Sequence, residues 1–264
     1  MSSRAIVRPP CKNYADGLTR VALGAPDYKR ALRQHAAYCE ALERCGLELT
    51  HLEPDENYPD STFVEDTAVL TPAGGVLTLP GAASRKGEVE GITEAISRLC
   101  PRLDSIQAPG TLDGGDVCEA GNHFFIGLSE RTNEAGAGQL AKLLESSGYT
   151  SSLVDIRSVK DILHLKSGLA YLGDNRLVVI DALANRTEFR GYELVRVKVD
   201  EEYAANCVRV NDYVLLAAGY PVFEQTLKGL GYETILLEMS EFQKMDGGLS
   251  CLSLRFRGQT EGSR

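Results

Sequence analysis

Tryptophan is absent from this sequence, and only 3 methionines and 4 histidines occur among its 264 residues. Scarce histidine narrows any acid–base chemistry to a few positions. Positive charge is also in short supply: 28 Lys and Arg face 37 Asp and Glu, a net charge of −9. The basic residues are scattered, and the pair Arg85-Lys86 is too short to track a phosphate backbone, which argues against a nucleic-acid partner. No run approaches the roughly 18–20 apolar residues of a membrane span. The segment Met1–Pro10 has neither an apolar h-region nor a cleavage-type site. CxxC spacing is missing, and the cysteines at 11, 39, 45, 100, 118, 207 and 251 are odd in number. That excludes a disulfide framework and predicts free thiols in a reducing compartment, the cytoplasm. No low-complexity linker divides the chain, so one domain is expected over 1–264, with a disordered tail from about 257.

What is present is a recurring unit: strand, turn, strand, amphipathic helix, a stop, and a third strand. One copy runs from Asp116 to Gly127, through a helix at 133–147, to Gly148-Tyr149 and a strand at 151–156. Another runs from Cys207 to Leu216, through a helix at 221–230, to Gly231-Tyr232 and a strand at 233–238. Gly121-Asn122 and Asn211-Asp212 supply the tight hairpin turns. A third copy starts at Asp66 and passes through a helix at 87–99 to a strand near 103–107. A degenerate fourth spans 168–199, and the first unit supplies a strand at 5–8, a helix at 28–45 and a strand at 48–52. Five such units predict a closed, radial arrangement; an ordinary α/β or α+β domain with coincidental spacing is the alternative.

Polar residues gather at the junctions between units: Asp60, Phe63–Asp66, Arg85, Asp113–Asp116, Arg131, His164–Gly168 and Asp246–Cys251. Each has an ordinary structural reading. Glu65-Asp66 suits a turn or cap, Asp113–Asp116 a hairpin entry or loose metal pattern, and His164 a partly buried core histidine. Arg85 and Arg131 precede helices, where surface arginines are common. Cys251 follows Gly247-Gly248 and opens a strand-like run; by itself it reads as a buried core thiol. The glycines nonetheless permit close backbone approach or positive φ, which suits a thiol presented to a cavity. His35, His51 and His123 fall in a helix, a strand and beside a turn, and carry less weight.

In combination the set makes chemical sense. A thiolate attacks, with a nearby cation lowering its pKa. A histidine protonates a leaving amine and then activates water. Carboxylates pair with a planar guanidinium, and arginines grip a carboxylate bidentately. Those groups together suit a cationic carbon carrying an amino-acid tail.

The segments Pro59–Asp66, Gly110–Asp116, Leu163–Gly168, Ala204–Cys207 and Asp246–Cys251, in this order, resemble the motifs of the dimethylarginine dimethylaminohydrolases (dimethylargininases). These belong to the guanidino-group modifying superfamily, and the resemblance runs from about Ala5 to Phe256. It implies the pentein fold, an α/β five-bladed propeller of ββαβ units around a central cavity. It implies hydrolysis of Nω-methylated arginine to citrulline and a methylamine, with no cofactor and no metal. Cys251 would be the nucleophile, forming a thiouronium, and His164 the acid and base. Asp113 and Asp66 would hold the guanidinium, with Asp113 also orienting His164; family members carry Asp or Glu at the place of Asp113. Arg85 and Arg131 would clamp the α-carboxylate. Asp60 and the backbone near Leu18 and Met245 would take the α-amino group, and Glu65 would complete the polar lining. Gly17–Gly24 resembles a mobile lid with its glycines as hinges. A homodimer is implied by the resemblance alone. Two rivals stay open: an arginine deiminase acting on unmethylated arginine, and a zinc-binding or sensory protein using Cys251 and His164.

Overall fold

Local signals in the sequence set the ends of the helices. Asp27 caps α1 (Tyr28–Arg44) by accepting from the Arg30 amide at 2.7 Å. Asn133 caps α3 (Glu134–Ser146) in the same way, from the Gly136 amide at 2.8 Å. Proline opens α4 (Pro221–Gly229), where a missing N–H costs nothing. Gly148 and Gly231 follow α3 and α4 with φ of 84° and 89°, a left-handed stop that reverses the chain. The computed structural model describes residues 3–100 and 102–256; the tail expected from about 257 lies outside the described residues.

The helices connect strands within five three-stranded sheets. Their strands are β1 (Arg4–Val7), β2 (Glu48–His51), β3 (Ala68–Thr71), β4 (Gly74–Leu77), β5 (Leu103–Ser105), β6 (Val117–Ala120), β7 (His123–Leu128) and β8 (Thr150–Asp155). There follow β9 (Leu169–Gly173), β10 (Arg176–Ile180), β11 (Glu193–Val197), β12 (Val208–Val210), β13 (Tyr213–Ala217), β14 (Glu233–Leu237) and β15 (Leu254–Phe256). The sheets are ordered β3-β4-β5, β6-β7-β8, β9-β10-β11, β12-β13-β14 and β15-β1-β2. In each, the first pair is antiparallel and the second parallel. A parallel pair needs a crossover. The crossover is α1, then α2 (Glu90–Leu99), α3 and α4 in four sheets; between β10 and β11 it shrinks to two short 3-10 turns. This is the five-bladed propeller of ββαβ units, with the fourth unit degenerate as the sequence suggests. The fifth sheet joins the two ends of the chain, β15 pairing with β1 from Arg4↔Phe256 to Ile6↔Leu254.

The first strands of the five sheets form the inner ring: β15 lies against β3, and β9 against both β6 and β12. The apolar cores lie outside it, between each sheet and its crossover. α3 buries Ala137, Leu140 and Leu144 against Phe124, Ile126 and Leu128 of β7. Burial of each leucine stabilises by about 1.5–3 kcal/mol.

Several expected boundaries shift by one or two residues, and two shift by three. The helix expected from 87 begins at Glu90, preceded by a 3-10 stretch Ala83–Val89, because the chain there turns tightly over Tyr58, whose hydroxyl lies 1.8 Å from where a Gly87 Cβ would be. Cys251 does not open the final strand. It sits in a 3-10 turn, Ser250–Leu252, and the strand starts at Leu254.

Glycine within a helix normally costs up to about 1 kcal/mol relative to alanine. Gly136 in α3 reverses the sign, since a Cβ there would lie 2.0 Å from the Thr111 carbonyl oxygen. Gly136→Ala is therefore expected to lower the thermal midpoint; a raised midpoint would contradict this packing.

Candidate active site

A 3-10 turn precedes every strand of the inner ring. The turns are Val64–Thr67 before β3, Gly114–Asp116 before β6, Leu165–Ser167 before β9, Val199–Ala205 before β12 and Ser250–Leu252 before β15. Repetition of the unit therefore delivers five polar turns to one end of the ring. They carry Glu65 and Asp66, Asp116 beside Asp113, Lys166 beside His164, Asn206, and Cys251.

Eight expected residues line one small cavity at that end: Leu18, Asp60, Asp66, Arg85, Arg131, His164, Met245 and Cys251. Phe63, Leu163, Asp246 and Gly247 complete its wall. Its volume is about 20 Å³, enough for about one water molecule. The Gly17–Gly24 segment expected as a lid supplies Leu18 to this lining. Leu18 in that segment donates its amide to both Asp60 carboxylate oxygens at 3.1 Å. Thr19 bonds the Lys244 carbonyl at 2.9 Å, the Arg20 amide bonds Asp246 at 2.5 Å, and the Arg20 side chain reaches Glu130 at 3.2 Å. Leu18 and Leu23 are exposed. Of the two expected hinge glycines only Gly24 uses the left-handed region, at φ 81°. Gly17 serves close approach instead, since a Cβ there would meet Asp60 Oδ1 at 2.5 Å.

The remaining two expected residues lie elsewhere. Asp113 is fully buried behind His164; its Oδ2 is 2.9 Å from His164 Nε2 and its Oδ1 accepts from the Gly81 amide at 2.8 Å. Both oxygens are engaged, one of them by the imidazole. Glu65 faces the opposite side of the turns. It pairs with Lys166 at 2.6 Å, accepts from Ser250 Oγ at 2.8 Å, and lines a larger cavity of about 440 Å³ along the ring axis.

Charges in the small cavity are tightly cross-coupled. Arg85, buried, forms a two-bonded pair with Glu88 (Nε to Oε1 2.9 Å, Nη2 to Oε2 2.8 Å) and donates from Nη1 to Asp66 Oδ2 at 2.6 Å. Asp66 Oδ1 accepts from the Gly115 amide at 2.8 Å and lies 4.0 Å from His164 Nε2. Burial favours the neutral acid at Asp66, but His164 and Arg85 overcome it and hold the carboxyl at about 2. Burial likewise opposes the charge on His164. Asp66, the hydrogen bond to Asp113, and Asp116 outweigh it and lift the imidazole to about 9. Burial raises Asp60 despite Arg85. The Cys251 thiol is pushed up to about 12 by burial, with the charges of Glu65 and Asp66 adding to it and the Gly248 amide, 3.4 Å from Sγ, opposing. Arg131 Nη1 is buried without a partner among the described residues, a donor held ready for an anion.

Two contributors escaped the sequence reading. Asp116 is buried, accepts from Ser129 Oγ, Thr132 Oγ1 and the Leu165 amide at 2.6, 2.7 and 2.9 Å, and so fixes the residue after His164. It belongs to the quoted Asp113–Asp116 motif. Glu88 follows Arg85 by three residues, a spacing that brings side chains together on a helical turn. The other histidines are structural or peripheral; burial depresses His35 in α1 to about 4. The donor set that could hold a metal ion among the described residues is Asp66, Asp113 and His164, without Cys251. The His164 imidazole there is held in its protonated form, which has no lone pair to give a metal. A zinc centre built on Cys251 and His164 therefore loses its support.

An imidazolium held by Asp113 and Asp66 is expected to titrate near 9 by NMR, and Asp113→Asn to lower that midpoint. A His164 midpoint at or below 6.5, its ordinary value, would contradict the geometry.

The model of the arginine deiminase family matches residues 56–209. A dimethylarginine dimethylaminohydrolase from Pseudomonas aeruginosa is 45% identical over 97% of this chain and 100% of its own length. A second, from Streptomyces coelicolor, is 37% identical over 97% of this chain and 98% of its own. The solved structure of the Pseudomonas enzyme as a cysteine-to-serine mutant complexed with citrulline superposes with a TM-score of 0.94 at 44% identity, covering 97% of this chain and 100% of that one. At this identity over nearly the whole of both chains, the chain belongs to the dimethylarginine dimethylaminohydrolase family.

Proposed function

We propose that this protein hydrolyses Nω-methylated L-arginine to L-citrulline and dimethylamine or methylamine. The observation that carries the reading is a single cavity lined by a thiol, an imidazole, carboxylates and two arginines. The opposite ends of an arginine-like molecule find matching charges there. Asp66 pairs with the guanidinium, Arg131 and Arg85 take the α-carboxylate, and Asp60, with the backbone at Leu18 and Met245, takes the α-ammonium. Because Asp60 also receives the Leu18 amide, substrate binding and closure of the covering segment share one carboxylate. The citrulline complex of the Pseudomonas relative supports the product assignment.

The chemistry follows from the protonation states. Without substrate, the thiol is neutral and His164 is protonated near neutral pH. A guanidinium brought against Cys251 adds a fixed positive charge and draws the thiol pKa down. The thiol proton leaves to solvent, and Sγ bonds to the guanidinium carbon. His164 protonates the methylated nitrogen, the C–N bond breaks, and the amine departs, leaving a thiouronium on Cys251. Neutral His164 then takes a proton from water, whose oxygen adds to the same carbon. The C–S bond breaks as the remaining hydroxyl proton passes to the departing sulfur, releasing citrulline and the Cys251 thiol. Asp113 holds the imidazole through both proton transfers. Glu65, though off the cavity, keeps the turn before Cys251 in place through Ser250. The Gly17–Gly24 segment closes over the substrate and excludes water.

Seven unpaired cysteines fit a reducing cytoplasm as the working compartment, and no helix is long and apolar enough to cross a membrane among the described residues. The homodimer rests on family resemblance.

Two measurements test this reading. Citrulline release from arginine, monomethylarginine and asymmetric dimethylarginine should favour a methylated substrate; arginine turned over best would overturn it. Thiolate absorbance of the substrate-free enzyme should rise only well above the ordinary thiol pKa, and a bound unreactive guanidinium analogue should move that rise to lower pH. An unchanged titration would refute substrate-assisted ionisation.

A further inference from the structure

Asn206 touches no part of the small cavity, yet it joins the two turns that supply its reactive groups. It ends the 3-10 turn Val199–Ala205 and is 7% exposed. Its Nδ2 donates to the Lys166 carbonyl at 2.9 Å, two residues after His164. The same nitrogen donates to Ser250 Oγ at 3.1 Å, and Oδ1 accepts from the Ser250 amide at 2.9 Å, one residue before Cys251. Ser250 Oγ passes its own proton to Glu65 at 2.8 Å, and Glu65 returns to Lys166 at 2.6 Å. Glu65, Lys166, Asn206 and Ser250 thus form a closed loop of hydrogen bonds across four units of the propeller.

The amide of Asn206 also lies flat against Gly248. A Cβ at 248 would fall 2.5 Å from both Asn206 Cγ and Oδ1. Gly248 has no left-handed φ, so close approach is what requires glycine there. The contact matters because the Gly248 amide points at Cys251 Sγ at 3.4 Å, a donor that favours the thiolate.

We infer that Asn206 is a positioning residue for Cys251, fixing the turn 248–251 so that Sγ and its Gly248 donor stay in register with the turn that carries His164. This rests on Cys251 being the nucleophile. Asn206 binds no substrate group, so its loss should leave recognition alone and slow the chemistry. The bonds to Ser250 amide and hydroxyl need an acceptor and a donor on one planar group. A carboxylate lacks the donor, so Asn206→Asp should not restore function.

The test compares Asn206→Ala, Asn206→Asp and Gly248→Ala with the unaltered enzyme, taking Cys251→Ala as control. All three are expected to lower kcat by about 10- to 100-fold with KM within about threefold, as for a reactive group displaced by about an ångström. Alkylation of Cys251 by iodoacetamide without substrate should slow in the same variants, because the thiolate loses its backbone donor. If Asn206→Ala does not fold, Gly248→Ala decides, since it keeps the asparagine and disturbs only the contact. Wild-type kcat and alkylation in the folded variants, or a loss confined to KM or thermal midpoint, would overturn the inference. Turnover surviving in Cys251→Ala would instead remove the nucleophile on which it rests.

Discussion

Pairing of β15 with β1 is the constraint on which the arrangement depends. The last strand of the chain completes the first sheet, so the ring closes only when the final turn reaches its inner position. Cys251 lies in that turn, three residues before the closing strand. Without closure the thiol has no fixed relation to His164, which arrives from the unit beginning at β9. Fold and site therefore form together. The 3-10 turns ahead of the inner strands, one per unit, convert a repeat in sequence into convergence in space.

Electrostatics then sets the resting state. Five carboxyl groups, Asp60, Asp66, Glu88, Asp113 and Asp116, are buried around Arg85 and His164. Burying such charges is costly unless they are paired, and here each pairs or accepts hydrogen bonds from nearby turns. Burial keeps Cys251 neutral, and the excess of negative groups adds to that effect while holding His164 protonated against its own burial. A cationic substrate relieves that excess, and this gives binding energy a route into the chemical step instead of into affinity alone.

Much of this was legible in the sequence because both levels of organisation leave periodic marks. The hairpin turns Gly121-Asn122 and Asn211-Asp212, and glycines 148 and 231 after helices, each have a local cause. Eight of the ten expected site residues lie at junctions between units, Leu18 and Met245 coming from the resemblance alone, and eight of the ten line one cavity. Legibility failed where a property depends on distant contacts. Asp113 and Glu65 could be placed near the site but not on a side of it, since that depends on His164, Lys166 and Ser250. Gly247 and Gly248 announced close approach, but not that Phe63 and Asn206 were the groups approached. Glu88 looks like an ordinary surface residue until the fold buries it, and Asn206, though within a quoted motif, shows its partners only in the fold. The strand expected to start at Cys251 starts later because a 3-10 turn of three residues has no period to read.

The account turns on Cys251 carrying the carbon of the substrate during turnover. Acid quenching of the enzyme in mid-reaction with a methylated arginine, followed by peptide mass analysis, observes this directly. A thiouronium-sized mass addition on the peptide containing Cys251, absent when Cys251 is replaced by serine, is the expected result. Turnover with no adduct on that peptide, or with the adduct on one of the other six cysteines, would contradict it.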